Sequence, residues 1–149
     1  WVIGKPETEE YGKKIYKLAK KLLLNENIKF WGYVSQDKKL ELLSKAHALI
    51  NPSIHEGWGL VNIEANAMGT PVVAYNVSGS VDSVKNNVSG ILCKDNTPED
   101  LAKNVDKILN DNKLYKKLQN GAISWSKNFN WEKSRKLSID LISKIAHSK

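Results

Sequence analysis

Two glutamates eight residues apart flank a glycine-containing turn, and their types and spacing suit the binding of a charged, hydroxyl-rich ligand. Glu56 precedes Gly57 and Gly59, and Glu64 follows them. Because glycine lacks a Cβ atom, main-chain N–H groups at such a turn can approach an anion closely. An ionised carboxylate accepts hydrogen bonds from hydroxyl pairs such as those of a ribose or a sugar ring. The pattern therefore predicts two acceptors on either side of one anion site.

The segments around this turn predict a strand before it and a helix after it. Residues 47–51 form a short run that Pro52 stops, and residues 60–68 follow the turn as a helix that Gly69 ends. The first N–H groups of this helix are unpaired and carry the positive end of its dipole, so they would face the same anion. A pyrophosphate suits that position. Spacing alone also fits a turn that binds nothing.

Strands and helices alternate along most of the chain, which predicts a parallel sheet with helices on both faces, an α/β Rossmann-like fold. At 149 residues the chain has the usual size of one domain. A strand is predicted to end at residues 2–4, and the other predicted strands are residues 28–31, 71–74 and 91–92. The other predicted helices are 7–24, 36–46 with Ser35 as its cap, 81–85, 97–110, 113–127 and 131–146. The last third of the chain is therefore helical.

Apolar side chains recur at helical spacing in two of these helices, which predicts one buried stripe on each. In the first helix the stripe comprises Ile15, Leu18, Ala19, Leu22 and Leu23. In the helix that begins near Thr97 it comprises Leu101, Val105, Ile108 and Leu109.

The formal net charge of +7 is unevenly distributed. Between residues 51 and 100 the only basic side chains are Lys85 and Lys94, so the excess lies in the flanking helices. Arg135 is the only arginine, and no tract interleaves aromatic with basic residues, which argues against nucleic acid as a partner. A solvated helix face is the first interpretation, and contact with an anionic membrane surface is the second.

Cysteine and histidine usage predicts neither a disulfide nor a metal site. Cys93 is the only cysteine, and His47, His55 and His147 show no ligand spacing with it. Cys93 ends a predicted buried strand and is expected to be inert packing. The apolar runs are shorter than the roughly 20 residues of a membrane-spanning helix, and no signal-peptide pattern is present. A soluble protein of the reducing cytoplasm is therefore expected.

Residues 56–74 resemble the signature of a large family of retaining glycosyltransferases with the GT-B fold, known as glycosyltransferase family 4 or group 1. The run is EGWGLVNIEANAMGTPVVA, with two Glu around a Gly-aromatic-Gly-Leu turn, then Glu-Ala and Gly-x-Pro-Val-Val-Ala. Further matches lie at 30–34, 77–79, 88–92 and 129–132. The resemblance covers residues 1–149 as the C-terminal, nucleotide-sugar-binding domain, without that domain's first strand and without an N-terminal domain.

The resemblance implies a role for each residue of the motif. Glu56, the candidate catalytic residue, would hold hydroxyls of the transferred sugar, and Glu64 would hold the ribose. The remaining predicted contacts are main-chain N–H groups on the distal phosphate and a loop on the nucleobase. The phosphate contacts are assigned to Gly57, Trp58, Gly59 and Leu60, and the nucleobase contacts to Tyr33 and Val34.

Two parts of the sequence depart from the family pattern. Trp58 stands where Phe is usual, and it is also interpretable as a core side chain. The family's Gly-Gly-x-Pro-Glu turn reads SGSVD at residues 78–82, which leaves the role of this turn open and makes Asp82 a candidate helix cap. His55 hydrogen-bonds the phosphate, orients Glu56, or has no role in the site.

The resemblance implies transfer of a sugar from a nucleoside diphosphate sugar to an acceptor, with retention of anomeric configuration and without a metal or other cofactor. Lipids and polysaccharides are the implied acceptors, and a peripheral contact with the inner face of the membrane is compatible with them. The family's Arg and Lys that neutralise the diphosphate have no counterpart in residues 1–149, so these residues are expected to bind nucleotide weakly and to transfer nothing. A catalytically silent GT-B-like binding module is the alternative. A dinucleotide-binding domain would need a third glycine in the turn.

Overall fold

The computed structural model describes residues 1–24 and 26–147, and the chain divides into two compact units, Trp1–Leu42 and Leu43–Lys149. In the first unit β1 (Val2–Ile3) pairs with β2 (Phe30–Gly32). In the second unit three strands form one sheet in the order β3-β4-β5: Leu49–Asn51, Val72–Ala74 and Gly90–Leu92. All of these strand pairs are parallel. The structure therefore confirms the predicted α/β class.

The first helix, α1 (Glu9–Lys21), is shorter than the predicted 7–24. The Oγ1 of Thr8 accepts a hydrogen bond from the Tyr11 N–H at 3.1 Å and fixes its start. Leu22 is the C-cap and Leu23 has a positive φ of 55°, so the chain leaves the helix there. The predicted stripe is wrong at Leu18, Leu22 and Leu23, which are exposed, while Ala19 is buried as predicted.

The boundary between the two units falls within α2 (Gln36–Lys45). Ser35 caps this helix as predicted, because its Oγ accepts a hydrogen bond from the Lys38 N–H at 3.2 Å. β2 starts at Phe30, two residues later than predicted.

In the second unit each strand is followed by a helix, and the C-terminal third is helical as predicted. Helix α3 (Leu60–Ala67) follows β3, α4 (Ser80–Ser83) follows β4, and α5 (Pro98–Asn110) follows β5. Two further helices, α6 (Asn112–Ser126) and α7 (Trp131–Ala146), complete the described chain. The α4 helix lies slightly earlier than the predicted 81–85. Among the described residues, no helix combines the length and apolarity needed to cross a membrane.

The core of the second unit joins the sheet to α5 and α6. Val73, Ile91 and Cys93 pack there with Ile108 of α5 and Leu118 of α6. Leu109, predicted to be buried beside Ile108, is instead 49% exposed, because it lies around the helix from the core face. Burial, with a smaller contribution from the negative charge of Asp100, raises the pKa of the Cys93 thiol. A neutral, packed thiol agrees with the prediction of inert packing.

Candidate functional site

The glycine turn lies between β3 and the amino end of α3, as predicted. Gly59 is the N-cap of α3 and has left-handed φ and ψ values of 77° and 51°. No side chain caps this end, and the first turn of α3 contains no acidic residue. The longer helices of the described chain differ, because a side-chain oxygen accepts a main-chain N–H at the start of each: Thr8 in α1, Thr97 in α5, Asp111 in α6 and Asn130 in α7. The amino end of α3 therefore presents N–H groups and positive partial charge to an incoming group.

Only glycine fits at position 59. A Cβ atom there would lie 2.6 Å from Nδ2 of Asn62 and 2.8 Å from Oγ of Ser83. The positive φ independently disfavours any other residue. Crowding and backbone conformation thus both require glycine at position 59.

Three buried polar side chains lie beneath this turn. Asn51 at the end of β3 donates a hydrogen bond from Nδ2 to Oδ1 of Asn62 at 3.0 Å. Asn62 in turn donates from Nδ2 to Oγ of Ser83 at 2.9 Å. The Ser83 hydroxyl donates to the Gly79 carbonyl at 3.0 Å. This Asn51–Asn62–Ser83 bridge was not predicted from the sequence, where the only local signal was the presence of two asparagines, which are poor helix formers, in a short helix.

The second turn, around Ser78 and Gly79, lies directly against residues 54–57, which form the Glu56 segment. Gly79 has a φ of 81°, and a Cβ atom there would collide with the Glu56 carbonyl oxygen. Both segments line a cavity of about 610 Å³, bounded by Ile54, His55, Glu56, Gly57, Val77 and Ser78. The turn whose role the sequence left open is therefore a wall of the Glu56 site. Asp82 is not a cap, since Gly79 occupies that position of α4.

Trp58 anchors the outer side of the glycine turn. Its half-buried ring packs edge-on against Phe129 with centroids 5.0 Å apart, and Phe129 packs edge-on against Trp125 at 5.1 Å. The Trp125 indole N–H donates to the Ser83 carbonyl at 2.9 Å. Edge-to-face contacts of this kind stabilise by about 1 kcal/mol each beyond their buried area. The interpretation of Trp58 as a packing residue is thereby favoured, and its main chain remains part of the turn.

The two glutamates lie on opposite sides of the turn in sequence, and both are half buried. Glu56 lines the cavity described above, and Glu64 lies in the second turn of α3 with its Oε2 buried. His55 is exposed at the cavity's edge, and Leu60, the first residue of α3, is exposed as well. Among the described residues no group of three or more His, Cys, Asp or Glu side chains is arranged to hold a metal ion.

Tyr33 and Val34 follow β2 in the first unit. Tyr33 is 76% exposed, and Nζ of Lys5 lies 5.6 Å from its ring centroid. Val34 is half buried. The contact of these residues with a nucleobase stays a prediction.

Residues 1–125 match the family described as glycosyl transferases group 1, and the chain belongs to this family. A D-inositol 3-phosphate glycosyltransferase of Streptomyces bingchenggensis is 34% identical over 142 residues, which cover 94% of this chain and 31% of that protein. An uncharacterized glycosyltransferase of Methanocaldococcus jannaschii is 32% identical over 123 residues, covering 80% of this chain and 35% of that protein. The chain thus spans about a third of the length of these curated relatives.

Solved structures share the fold. A sucrose-phosphate synthase from Thermosynechococcus elongatus superposes with a TM-score of 0.82 at 27% identity, covering 99% of this chain and 38% of that one. The Anabaena protein HepE, solved in complex with UDP and glucose, superposes with a TM-score of 0.85 at 22% identity, covering 95% of this chain and 39% of that one. The Rossmann-like architecture expected for one half of a GT-B glycosyltransferase is therefore confirmed.

Proposed function

We propose that this chain is the donor-binding domain of a retaining glycosyltransferase and that it binds a nucleoside diphosphate sugar at the amino end of α3. The observation that carries the proposal is the uncapped start of α3 behind the glycine turn, placed between Glu56 and Glu64. Membership in the group 1 glycosyltransferases supports the same assignment.

Phosphate is the ligand chemistry that suits the turn itself. Main-chain N–H groups of residues 57–60 would donate to the distal phosphate, and the dipole of α3 would stabilise its negative charge. In this proposal the phosphate charge is met by main-chain groups, without a metal or other cofactor.

The two carboxylates would bind the hydroxyl groups on either side of the diphosphate. Glu64, half buried in the second turn of α3, would accept hydrogen bonds from the ribose. Glu56, in the cavity with Ser78, would accept them from the transferred sugar. Tyr33 and Val34 are proposed to contact the nucleobase. Glu56 is the candidate for the residue nearest the reacting carbon, since the transferred sugar would lie beside it.

The activity of a whole protein built on this domain is a further part of the proposal. We propose transfer with retention of configuration to a lipid or polysaccharide acceptor, with a separate N-terminal domain, in the cytoplasm near the membrane. A leaving nucleoside diphosphate needs fixed positive charge, yet none of the described residues that line the Glu56 cavity is Lys or Arg. The isolated chain is therefore proposed to bind donor and not to transfer sugar. A silent binding module would show the same binding but no transfer in the whole protein.

Titration calorimetry with UDP, GDP and ADP tests the proposed site, and UDP comes first because HepE was solved with it. We expect Glu64→Gln to weaken binding of the preferred nucleotide at least about tenfold, because hydrogen bonds to a charged acceptor contribute roughly 1.5–3 kcal/mol. Glu99→Gln makes the same change at an exposed position in the first turn of α5 and should leave affinity unaltered. Equal affinities of the two variants, or no nucleotide binding at millimolar concentration, would contradict the assignment.

A further inference from the structure

We propose that Asn62 is a positioning residue which, through the Asn51–Asn62–Ser83 bridge, holds both turns of the donor site in one arrangement. The inference rests on the function proposed for that site. The proposed role belongs to a fully buried side chain beneath the glycine turn, which does not line the Glu56 cavity.

The bridge joins three separate segments of the second unit. Asn51 is the last residue of β3, Asn62 is in the first turn of α3, and Ser83 ends α4. The two side-chain hydrogen bonds span 11 and 21 residues of sequence. Asn62 is fully buried and uses its amide oxygen toward one segment and its amide nitrogen toward another. No apolar side chain could make both connections.

Each turn of the site is in contact with this bridge. The Asn62 amide lies so close to Gly59 that a Cβ atom on Gly59 would approach its nitrogen to 2.6 Å. On the other side, Ser83 accepts from Asn62 and donates to the Gly79 carbonyl. Gly79 in turn rests on the Glu56 carbonyl. A displacement of the Asn62 amide would therefore move both the glycine turn and the Glu56 segment.

Burial of an asparagine on this helix is not by itself the explanation. Asn66, one turn further along α3, is equally buried, yet its amide nitrogen and oxygen have no hydrogen-bond partner among the described residues. Asparagine is a poor helix former, so neither residue stabilises α3 through propensity. Asn62 differs from Asn66 in making the bridge, which makes Asn66 a matched control of the same type, burial and helix.

Affinities for UDP and UMP, measured on the chain and its variants, separate positioning from general stability. UMP lacks the distal phosphate that the glycine turn is proposed to hold. We expect Asn62→Ala to weaken UDP binding roughly tenfold while UMP binding changes by about twofold or less. Asn66→Ala creates a cavity of the same size and should leave both affinities within about twofold. Ser83→Ala, a smaller change in the same bridge, should shift UDP affinity in the same direction as Asn62→Ala.

Hydrogen exchange of the ligand-free chain decides the positioning role independently of nucleotide binding. We expect the main-chain N–H groups of residues 62 and 83, which donate to the Gly59 and Gly79 carbonyls, to be less protected in Asn62→Ala and Ser83→Ala than in Asn66→Ala. If the unsubstituted chain binds no nucleotide, the proposed function fails while this comparison still judges the bridge. Equal protection of residues 62 and 83 in the Asn62 and Asn66 variants, or equal losses for UDP and UMP, would overturn the inference.

Discussion

Gly79→Ala is expected to lower the free energy of unfolding by at least about 2 kcal/mol, the sum of backbone strain and overpacking. Gly79 adopts a φ of 81° with a ψ of −46°, a conformation that an alanine adopts only under strain. The added Cβ would also meet the Glu56 carbonyl oxygen and lie 2.9 Å from the Gly57 carbonyl carbon. These are backbone atoms, so the Glu56 segment itself has to move.

Urea denaturation measures this loss, and Gly57→Ala supplies the control. A Cβ on Gly57 would meet no atom within 4 Å, so this variant should change stability by about 1 kcal/mol or less. Because Gly79→Ala shifts both Glu56 and the glycine turn, the affinity of this variant for UDP should also fall. Two variants of equal stability would show that the Ser78–Gly79 turn does not press on the Glu56 segment.

Gly121→Ala is expected to destabilise the chain by roughly 1–3 kcal/mol, although helix propensity alone predicts a gain of up to about 1 kcal/mol. Gly121 lies inside α6, where its missing Cβ leaves room for the Val88 carbonyl oxygen. Val88 belongs to the segment just before β5, so an alanine pushes α6 away from that backbone.

The unfolding midpoint in urea distinguishes the two expectations for Gly121→Ala by its sign. Asn120→Ala, at an exposed position next to it in α6, should change stability by no more than about 0.5 kcal/mol. A more stable Gly121→Ala variant would mean that propensity outweighs the contact with Val88.

Local sequence signals predicted the elements that build the site. The glycine turn, the short helix after it and the strand before it follow from residue types within a few positions of one another, and the structure places them as expected. The same holds for Thr97 and Ser35, whose hydroxyls reach N–H groups three residues away. Such interactions are local, so spacing suffices to find them.

The contacts that hold the site together could not be predicted from the spacing of residues in the sequence. Nothing in the order of residues pairs Asn51 with Asn62, or Asn62 with Ser83, since each pair meets only when the sheet brings the ends of its segments together. Departures of residues 78–82 from the family pattern left the role of that turn open, and the structure places its glycine against Glu56. The stripe predicted for α1 failed at Leu22 and Leu23 for a related reason, because periodicity shows that side chains share a face but not where the helix ends.

Ser83 is the point at which two supports of the glycine turn meet. Its hydroxyl accepts a hydrogen bond from the Asn62 amide, and its carbonyl accepts one from the Trp125 indole N–H. Trp125 packs on Phe129, which packs on Trp58. The turn is thus held by polar contacts below and by aromatic contacts outside. A preorganised turn suits an anion site, because its N–H groups need no reordering when the ligand arrives.

The most direct test of the donor-site assignment is a crystal structure of the chain grown with UDP at millimolar concentration. We expect the distal phosphate within about 3 Å of main-chain nitrogens of residues 57–60, with the ribose hydroxyls on the Glu64 carboxylate. UDP bound elsewhere, a ribose turned away from Glu64, or crystals without bound nucleotide would contradict the donor-site assignment.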